Sequence, residues 1–170
     1  PEGVGKRRVA LTLAQAINCQ TRTAAVPGRG ASPLEACGTC ENCQRIERGV
    51  HGDVLVVEPG ESGAITIDQV RDVVDRASYR PFEGRKRVVV IDEAEMLGPD
   101  AQNALLKTLE EPPGASMFVL VSSRPDVLLP TVRSRCPRLR FGRLSAAEVT
   151  DTLVHDHGYA EADARAAAAS

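Results

Sequence analysis

Hydrophobic and polar positions follow two different periods along this chain, and the change from one period to the other predicts alternating strands and helices. Short apolar runs rich in β-branched residues are typical of buried strands, and they lie at Val54 to Glu58, Arg87 to Asp92 and Met117 to Ser122. The Val-Val-Val-Ile string in the second run is typical of a central strand covered on both faces. A fourth short run, Arg138 to Phe141, predicts a further strand.

Helices are predicted between and after these runs by signals that satisfy the free backbone groups of a helix end. Two capping boxes mark helix starts at Thr66 and Ser145, and a proline marks another at Pro99. The predicted helices are Lys6 to Asn18, Thr66 to about Ser78, Pro99 to Glu111, Ser145 toward His157, and an alanine-rich stretch from Asp163 to Ser170.

The alternation of strands and amphipathic helices indicates an α/β fold built on a parallel sheet. The first residues already lie inside a motif, so we expect a fragment whose first strand lies directly before Pro1. The predicted domains are a core at residues 1–143, interrupted by an insertion at residues 19–48, and the start of a helical domain at residues 144–170.

Composition and charge exclude several classes of protein. The 170 residues carry 21 Lys and Arg against 23 Asp and Glu, for a formal net charge of -2, and 42% are hydrophobic. These values exclude a disordered or fibrous chain. No apolar run approaches the ~20 residues that a membrane-spanning helix needs, so we expect no membrane partner and a cytoplasmic location. The near-neutral charge argues against general coating of DNA but allows local basic patches.

The cysteine spacing predicts a metal site. Cys37, Cys40 and Cys43 are each separated by two residues in the string ACGTCENC, and Cys19 lies upstream in INCQ. Two overlapping CxxC units favour a structural zinc ion with four sulfur ligands, Cys19 being the fourth. Such a site has no open position, so the zinc would stabilise a loop and perform no chemistry. Free reduced thiols and a redox-active CxxC are the alternatives.

A nucleotide site is predicted at the front of the chain. The string PEGVGKRR resembles a Walker A phosphate loop, with Gly3 and Gly5 allowing backbone N–H groups to surround phosphate and Lys6 reaching the terminal phosphates. Arg7 stands where the motif requires Ser or Thr as a magnesium ligand, and a guanidinium has no lone pair to offer. ATP and magnesium are therefore possible cofactors, but efficient hydrolysis is not expected. The alternative is a glycine-rich turn that binds nothing.

The string VVVIDEAE resembles a Walker B strand. It places Asp92 where a carboxylate would hold magnesium through water, and Glu93 where a base would orient the attacking water. A strand that ends in two acids is more often a plain strand edge, but downstream of a phosphate loop the pattern gains weight.

Two further strings carry a family resemblance. NALLKTLEEPP, from Asn103 to Pro113, and SSRPDVLLPTVRSRC, from Ser122 to Cys136, closely resemble the clamp-loader ATPases of bacterial DNA polymerase III, members of the AAA+ superfamily. The resemblance covers nearly the whole chain, including the cysteine insertion, which is a zinc module in this family. It implies a RecA-like AAA+ P-loop core, the start of a helical lid, and a C-terminal collar domain beyond this fragment.

The resemblance includes two paralogues, the gamma/tau motor subunit and the delta-prime subunit, whose P-loop is usually decayed. Arg7 and the sequence from His51 to Pro59 favour the delta-prime type, and an active gamma/tau-type ATPase is the alternative. The implied function is loading of the sliding clamp onto primed DNA during replication, together with gamma/tau and delta subunits. The chain would then be a subunit of a DNA polymerase holoenzyme whose own ATPase activity is absent or weak.

The resemblance also implies two site residues in the second string. Ser134-Arg135-Cys136 matches the motif that supplies an arginine finger, so Arg135 would act on ATP bound by a neighbouring subunit. Ser123, or the adjacent Ser122, falls at the sensor position, where a hydroxyl would contact the gamma-phosphate. A plain surface arginine and a plain serine at a strand end are the alternatives. The arginine-rich segment from Arg124 to Arg143 either contacts DNA phosphates or forms a solvated face with intersubunit ion pairs.

Overall fold

The computed structural model describes residues 3–21, 35–155 and 158–168. Residues Gly5–Arg138 form one compact unit, and the described residues from Leu139 onward, with Gly3 and Val4, form another. Residues 22–34 of the predicted insertion and the end of the predicted helix at His157 lie outside the described residues. In the part of the chain that is described, each helix is too short or too polar to span a lipid bilayer.

A parallel sheet of three strands forms the centre of the first unit. The strands are β1 (Val54–Val57), β2 (Arg87–Ile91) and β3 (Ser116–Leu120), in the order β1-β2-β3. Val54 pairs with Val88, and Arg87 pairs with Ser116. All five residues of β2 are buried because the strand has a neighbour on each side and helices on each face. The three predicted strands are therefore confirmed within two residues at their ends.

Helices lie on both faces of this sheet. They are α1 (Lys6–Asn18), α2 (Glu41–Glu47), α3 (Ile67–Ser78), α4 (Pro99–Glu110) and the single turn α5 (Pro130–Arg133). Successive side chains of a strand point to opposite faces, so Val89 and Ile91 pack with α3 and α4, while Val88 and Val90 pack with α1 and α2. The predicted helices α1, α3 and α4 are confirmed, whereas α2 was not predicted.

The predicted terminal signals of the helices are formed as hydrogen bonds. The backbone N–H of Gln69 donates to Thr66 Oγ1 at 3.3 Å, and the backbone N–H of Thr66 donates to Gln69 Oε1 at 2.9 Å, which completes the capping box of α3. Pro99 is the first residue of α4, which ends one residue before the predicted Glu111.

The second unit contains two helices, α6 (Ala146–His155) and α7 (Glu161–Ala168). The second capping box is also formed, because the backbone N–H of Glu148 donates to Ser145 Oγ at 3.3 Å and Glu148 Oε2 accepts from the N–H of Ser145 at 2.7 Å. Both helices were predicted from the sequence.

The predicted strand from Arg138 to Phe141 is wrong: these described residues form no strand. Arginines flank Leu139, whose surface is 75% exposed, so this run has no buried face. An extended segment becomes a strand only where a neighbouring strand completes its backbone hydrogen bonds. A short apolar pattern is therefore not enough by itself to predict a strand.

Candidate functional site

The predicted phosphate loop has the backbone geometry that its glycines allow. Gly3 has a φ of 72° and Gly5 a φ of 79°, both in the left-handed region that glycine adopts readily. Gly5 is the residue directly before α1, and its carbonyl accepts the N–H of Val9 at 3.0 Å. Lys6 is thus the first residue of a helix whose free N-terminal N–H groups carry positive potential.

Lys6 lies next to the predicted sensor residue. Its Nζ donates to Ser123 Oγ at 2.9 Å, although 117 positions separate the two residues. The structure therefore brings together the phosphate-loop lysine and the serine that follows β3.

Glu95, which was not among the predicted site residues, fixes the position of Ser123. The backbone N–H of Ser123 donates to Glu95 Oε1 at 3.0 Å. Burial by itself raises the pKa of Glu95, but hydrogen bonds from the Ser122 hydroxyl and the Ser123 N–H hold that pKa below its ordinary value. An acid three positions after the Walker B aspartate is a weak signal in sequence, because only folding shows that it meets the segment after β3.

Arg7 lies beside the carboxylate that was predicted to hold magnesium. Its Nη1 is 3.3 Å from Asp92 Oδ2, and the same nitrogen donates to Glu58 Oε1. The side chain of Asp92 is only 13% exposed, so its negative charge faces the guanidinium more than it faces water. Glu58 was also missed as a site residue, although it directly follows β1.

Glu93, the predicted base, has a backbone conformation that few residues other than glycine adopt. Its φ of 48° and ψ of 48° lie in the left-handed region, which costs a residue with a Cβ on the order of 1 kcal/mol. Its N–H donates to Asp92 Oδ1 at 3.0 Å. The conformation turns the chain sharply after β2 and leaves the side chain of Glu93 exposed.

These groups share one edge of the sheet. Glu58 follows β1, Asp92 follows β2 and Ser123 comes soon after β3. In parallel α/β sheets, ligands bind outside the carboxyl ends of the strands. The position agrees with a nucleotide site, and the residue that departs from the motif, Arg7, lies within it.

The four predicted zinc ligands also come together. The sulfur atoms of Cys19, Cys37, Cys40 and Cys43 all lie within 4.8 Å of one another. Zn–S bonds of ~2.3 Å place the sulfurs of a tetrahedral site about 3.8 Å apart, and the Cys19–Cys40 and Cys37–Cys43 pairs are each separated by 4.0 Å. The arrangement therefore fits a zinc ion held by four thiolates. Cys136 is not part of this cluster.

Hydrogen bonds hold the pKa of Cys19 and of Cys37 below the ordinary value of a thiol, whereas burial raises the pKa of Cys43 to about 12. The Thr21 side chain and the backbone N–H of Cys40, which lies 3.2 Å from Cys37 Sγ, lower the pKa of Cys37 to about 5. Thiolate is the form that binds zinc.

The cysteine cluster is fixed to the end of α1. Asn42 Nδ2 donates to the carbonyl of Asn18 at 2.9 Å, and Gln15 Nε2 donates to the carbonyl of Cys43 at 3.0 Å. The insertion therefore packs against the same helix that begins with Lys6, but at the opposite end of that helix.

A buried aspartate fixes the loop before β2. Asp53 has no exposed side-chain surface and accepts backbone N–H groups from residues 82–84, each at 2.8 Å, and Arg87 Nη2 at 2.8 Å. Burial alone raises the pKa of Asp53, but these hydrogen bonds lower it to about 2. A Cβ at Gly84 would lie 2.7 Å from Asn18 Oδ1, so this close approach requires glycine.

Arg135, the predicted arginine finger, is held by two groups of its own chain. Arg135 Nη2 donates to Glu110 Oε1, and Arg135 Nη1 donates to the carbonyl of Thr131 at 2.8 Å. Neither of these two partners belongs to the group of Lys6, Asp92 and Ser123. The neighbouring Arg133 pairs with Asp126 at 2.7 Å, so internal ion pairs account for part of the arginine-rich segment.

Comparison with known proteins shows that this chain is similar to subunits of DNA polymerase III. A family model described as "DNA polymerase III, delta subunit" matches residues 1–145. DNA polymerase III subunit tau from Salmonella typhimurium is 37% identical over 153 residues, covering 90% of this chain and 22% of that protein. DNA polymerase III subunit delta' from Pseudomonas aeruginosa is 42% identical over 137 residues, covering 80% of this chain and 39% of that protein. The chain thus spans well under half the length of these two curated relatives.

Solved structures share the fold. A DNA polymerase III gamma subunit-related protein from Thermotoga maritima matches with a TM-score of 0.54 and 31% identity, over 65% of this chain and 38% of that chain. A RuvB mutant from the same organism matches with a TM-score of 0.50 and 17% identity, over 72% of this chain and 42% of that chain. The second likeness concerns the fold alone.

The parallel sheet with helices on both faces and the phosphate-type loop before α1 define an α/β protein similar to the AAA+ P-loop proteins. The chain belongs to the clamp-loader family of DNA polymerase III, in which the relatives that match it are named tau, gamma and delta'.

Proposed function

We propose that this chain is the nucleotide-site region of a delta-prime-type clamp-loader subunit. In this proposal the complete protein helps load the sliding clamp onto primed DNA, in an assembly with gamma/tau and delta subunits. Its own site does not turn over ATP. The observation that carries the proposal is the contact of Arg7 with Asp92.

The chemistry of this contact opposes magnesium binding. Magnesium requires oxygen ligands in near-octahedral geometry, and phosphoryl transfer depends on it to neutralise the charge that develops on the phosphates. Arg7 supplies no oxygen, keeps its positive charge at all working pH values, and lies 3.3 Å from the carboxylate that the ion would use. Magnesium and Arg7 therefore compete for Asp92.

Arg135 gives such a subunit a role in a reaction that it does not perform alone. The side chain of Arg135 is 30% exposed, and the residue lies two positions after the end of α5. We propose that it reaches ATP bound by a neighbouring gamma-type subunit and stabilises the charge of the transition state there.

Zinc would hold the insertion in this proposal. Cys19, Cys37, Cys40 and Cys43 would ligate it through thiolates, which leaves no open coordination position for a reaction. We further propose that residues 144–170 begin a helical lid domain.

An active gamma/tau-type ATPase is the second candidate. The hydrogen bond between Lys6 and Ser123 favours it, because the lysine and the sensor hydroxyl lie as a working site would need them. Asp92 and Glu93 are also present, and the tau relative covers 90% of this chain.

ATP turnover by the complete, isolated subunit in the presence of magnesium separates the two candidates. We expect no turnover above background, with or without weak nucleotide binding. Robust magnesium-dependent turnover would assign the chain to the gamma/tau class, because it would show that Arg7 does not disable the site.

A further inference from the structure

We propose that Glu110 is a positioning residue for Arg135: it holds the guanidinium in the orientation from which Arg135 acts on nucleotide bound by the neighbouring subunit. The inference rests on the proposed function, because it assigns a second residue to the same trans-acting site. Neither the Walker motifs nor the cysteine module involves Glu110.

Two separate elements orient the guanidinium. Glu110 is the last residue of α4 and accepts from Arg135 Nη2. The carbonyl of Thr131 in α5 accepts from Arg135 Nη1 at 2.8 Å. A planar group held through both of its terminal nitrogens has a defined orientation, whereas one contact would leave it free to rotate.

Glu110 stands where its charge is unfavourable without a partner. A helix carries negative potential at its C-terminus, so an acid in the last turn is repelled by the free carbonyl groups. Glu110 is such an acid, and Glu111 follows it. The contact with Arg135 offsets this repulsion for Glu110, whereas Glu111 makes no side-chain hydrogen bond within the described residues.

Docking of α5 on α4 does not depend on this ion pair. Gln102 is buried in α4, and its Oε1 accepts the backbone N–H of Leu129, directly before α5, at 2.7 Å. Its Nε2 donates to the carbonyl of Leu97 at 3.0 Å. Removal of the Glu110 carboxylate should therefore release the guanidinium of Arg135 while the elements that carry it stay in place.

The solvent exposure of Glu110 and Arg135 fits a role in orienting Arg135 better than a role in stabilising the fold. The side chain of Glu110 is 49% exposed and that of Arg135 is 30% exposed, and ion pairs in contact with water contribute little to folding. An arginine ordered in advance avoids the loss of side-chain freedom that would otherwise accompany each encounter with the nucleotide.

The test measures the first turnover of ATP at the neighbouring site by rapid quench, in the reconstituted assembly that contains the full-length subunit. We expect Glu110→Ala to lower the rate at that site about tenfold, because a misplaced catalytic group loses rate, while the ATP concentration that gives half of the maximal rate changes less than twofold. Glu110→Gln should restore most of the rate, since its amide oxygen still accepts a hydrogen bond. Glu111→Ala is the matched control and should leave the rate at that site unchanged.

A double variant distinguishes positioning from a general structural effect. If Glu110 acts through Arg135, Glu110→Ala added to Arg135→Ala should cause no further loss. A further loss of similar size in the double variant would overturn the inference, as would a wild-type rate for Glu110→Ala where Arg135→Ala alone is defective. No effect of Arg135→Ala itself would instead overturn the proposed function, and the positioning role with it. Thermal unfolding and size-exclusion chromatography of each variant check that folding and assembly are intact.

Discussion

At the scale of single residues, Arg7 decides the charge of the proposed nucleotide site. It puts a permanent positive charge beside Asp92 and Glu58 at the carboxyl edge of the sheet, where an ATPase would hold a divalent cation. The rest of the site keeps Lys6 in contact with Ser123. Arg7 is therefore the residue at which this segment departs from the Walker A motif.

Arg7→Thr should make nucleotide binding dependent on magnesium. The hydroxyl supplies a magnesium ligand and the guanidinium no longer competes for Asp92, so we expect ATP affinity in magnesium to rise by about tenfold or more, roughly 1.4 kcal/mol. Isothermal titration calorimetry of the full-length subunit, with and without EDTA, measures this change. Arg8→Thr removes the same charge from the adjacent exposed position and should have no such effect; equal responses of the two variants would show a nonspecific charge effect.

Asp53 makes folding stability depend on pH. Its pKa falls from 3.8 to about 2 in the folded protein, so its contribution is complete above about pH 5 and is lost as the pH falls toward 2. We expect Asp53→Asn to lower the free energy of unfolding by about 2 kcal/mol at pH 7, and by progressively less below pH 4.

Urea unfolding across this pH range measures the difference. The control is Asp68→Asn, because the side chain of Asp68 is largely exposed on α3. A constant difference between wild type and Asp53→Asn from pH 7 to pH 3 would contradict the pKa assignment.

At the scale of elements, the helices and strands that the sequence predicted correctly are those marked by local signals. The strands β1 to β3 are β-branched apolar runs, and α3, α4 and α6 begin at capping boxes or a proline, signals that act within a few residues. The segment from Arg138 to Phe141 lacks a buried face, and its prediction as a strand was wrong. The short helix α2 was missed because its seven residues are too few for an apolar period to stand out.

The cysteine insertion should depend on metal for its structure. We expect the purified protein to contain one zinc ion per chain, and Cys37→Ser to lower the free energy of unfolding by about 2–5 kcal/mol, because loss of a metal ligand is among the few large single-residue effects. Metal analysis and chemical denaturation measure both quantities. Cys136→Ser, outside the cluster, should keep the zinc and nearly all of the stability. Protein free of zinc that unfolds at the same denaturant concentration in wild type and Cys37→Ser would refute the site.

At the scale of the whole molecule, the two proposed activities belong to different surfaces. The Lys6–Ser123 pair and the Arg7–Asp92 pair lie at the carboxyl edge of the sheet, whereas Arg135 is held by Glu110 and Thr131 at the end of α4. A disabled site of its own and an arginine presented elsewhere are compatible properties of a subunit that serves a neighbour.

Arg135→Ala in the full-length subunit should lower hydrolysis at the neighbouring site that it faces by about a thousandfold, the effect typical of a lost arginine finger. The overall ATPase rate of the assembly should fall only by the fraction that this one site contributes to it. The assembly should elute unchanged on size-exclusion chromatography. Rapid-quench measurement of the first turnover separates hydrolysis at this site from hydrolysis at the other sites of the assembly. Arg133→Ala is the control, because Arg133 is paired with Asp126; an identical loss in both variants would point to disruption of the turn α5.

The sequence by itself determined the three strands of the sheet, most helices, the cysteine spacing and the family, because caps, β-branched runs and motif strings are local. Of the residues that it assigned to a nucleotide site, the structure brings Lys6 next to Ser123 and Arg7 next to Asp92, with Glu58 and Glu95 as further neighbours. Only the tertiary structure decided the partners: Arg7 with Glu58 and Asp92, Asp53 with residues 82–84, and Arg135 with Glu110. These groups lie far apart in sequence, and a charge acquires its function from neighbours that the folding of a parallel sheet brings within a few ångströms.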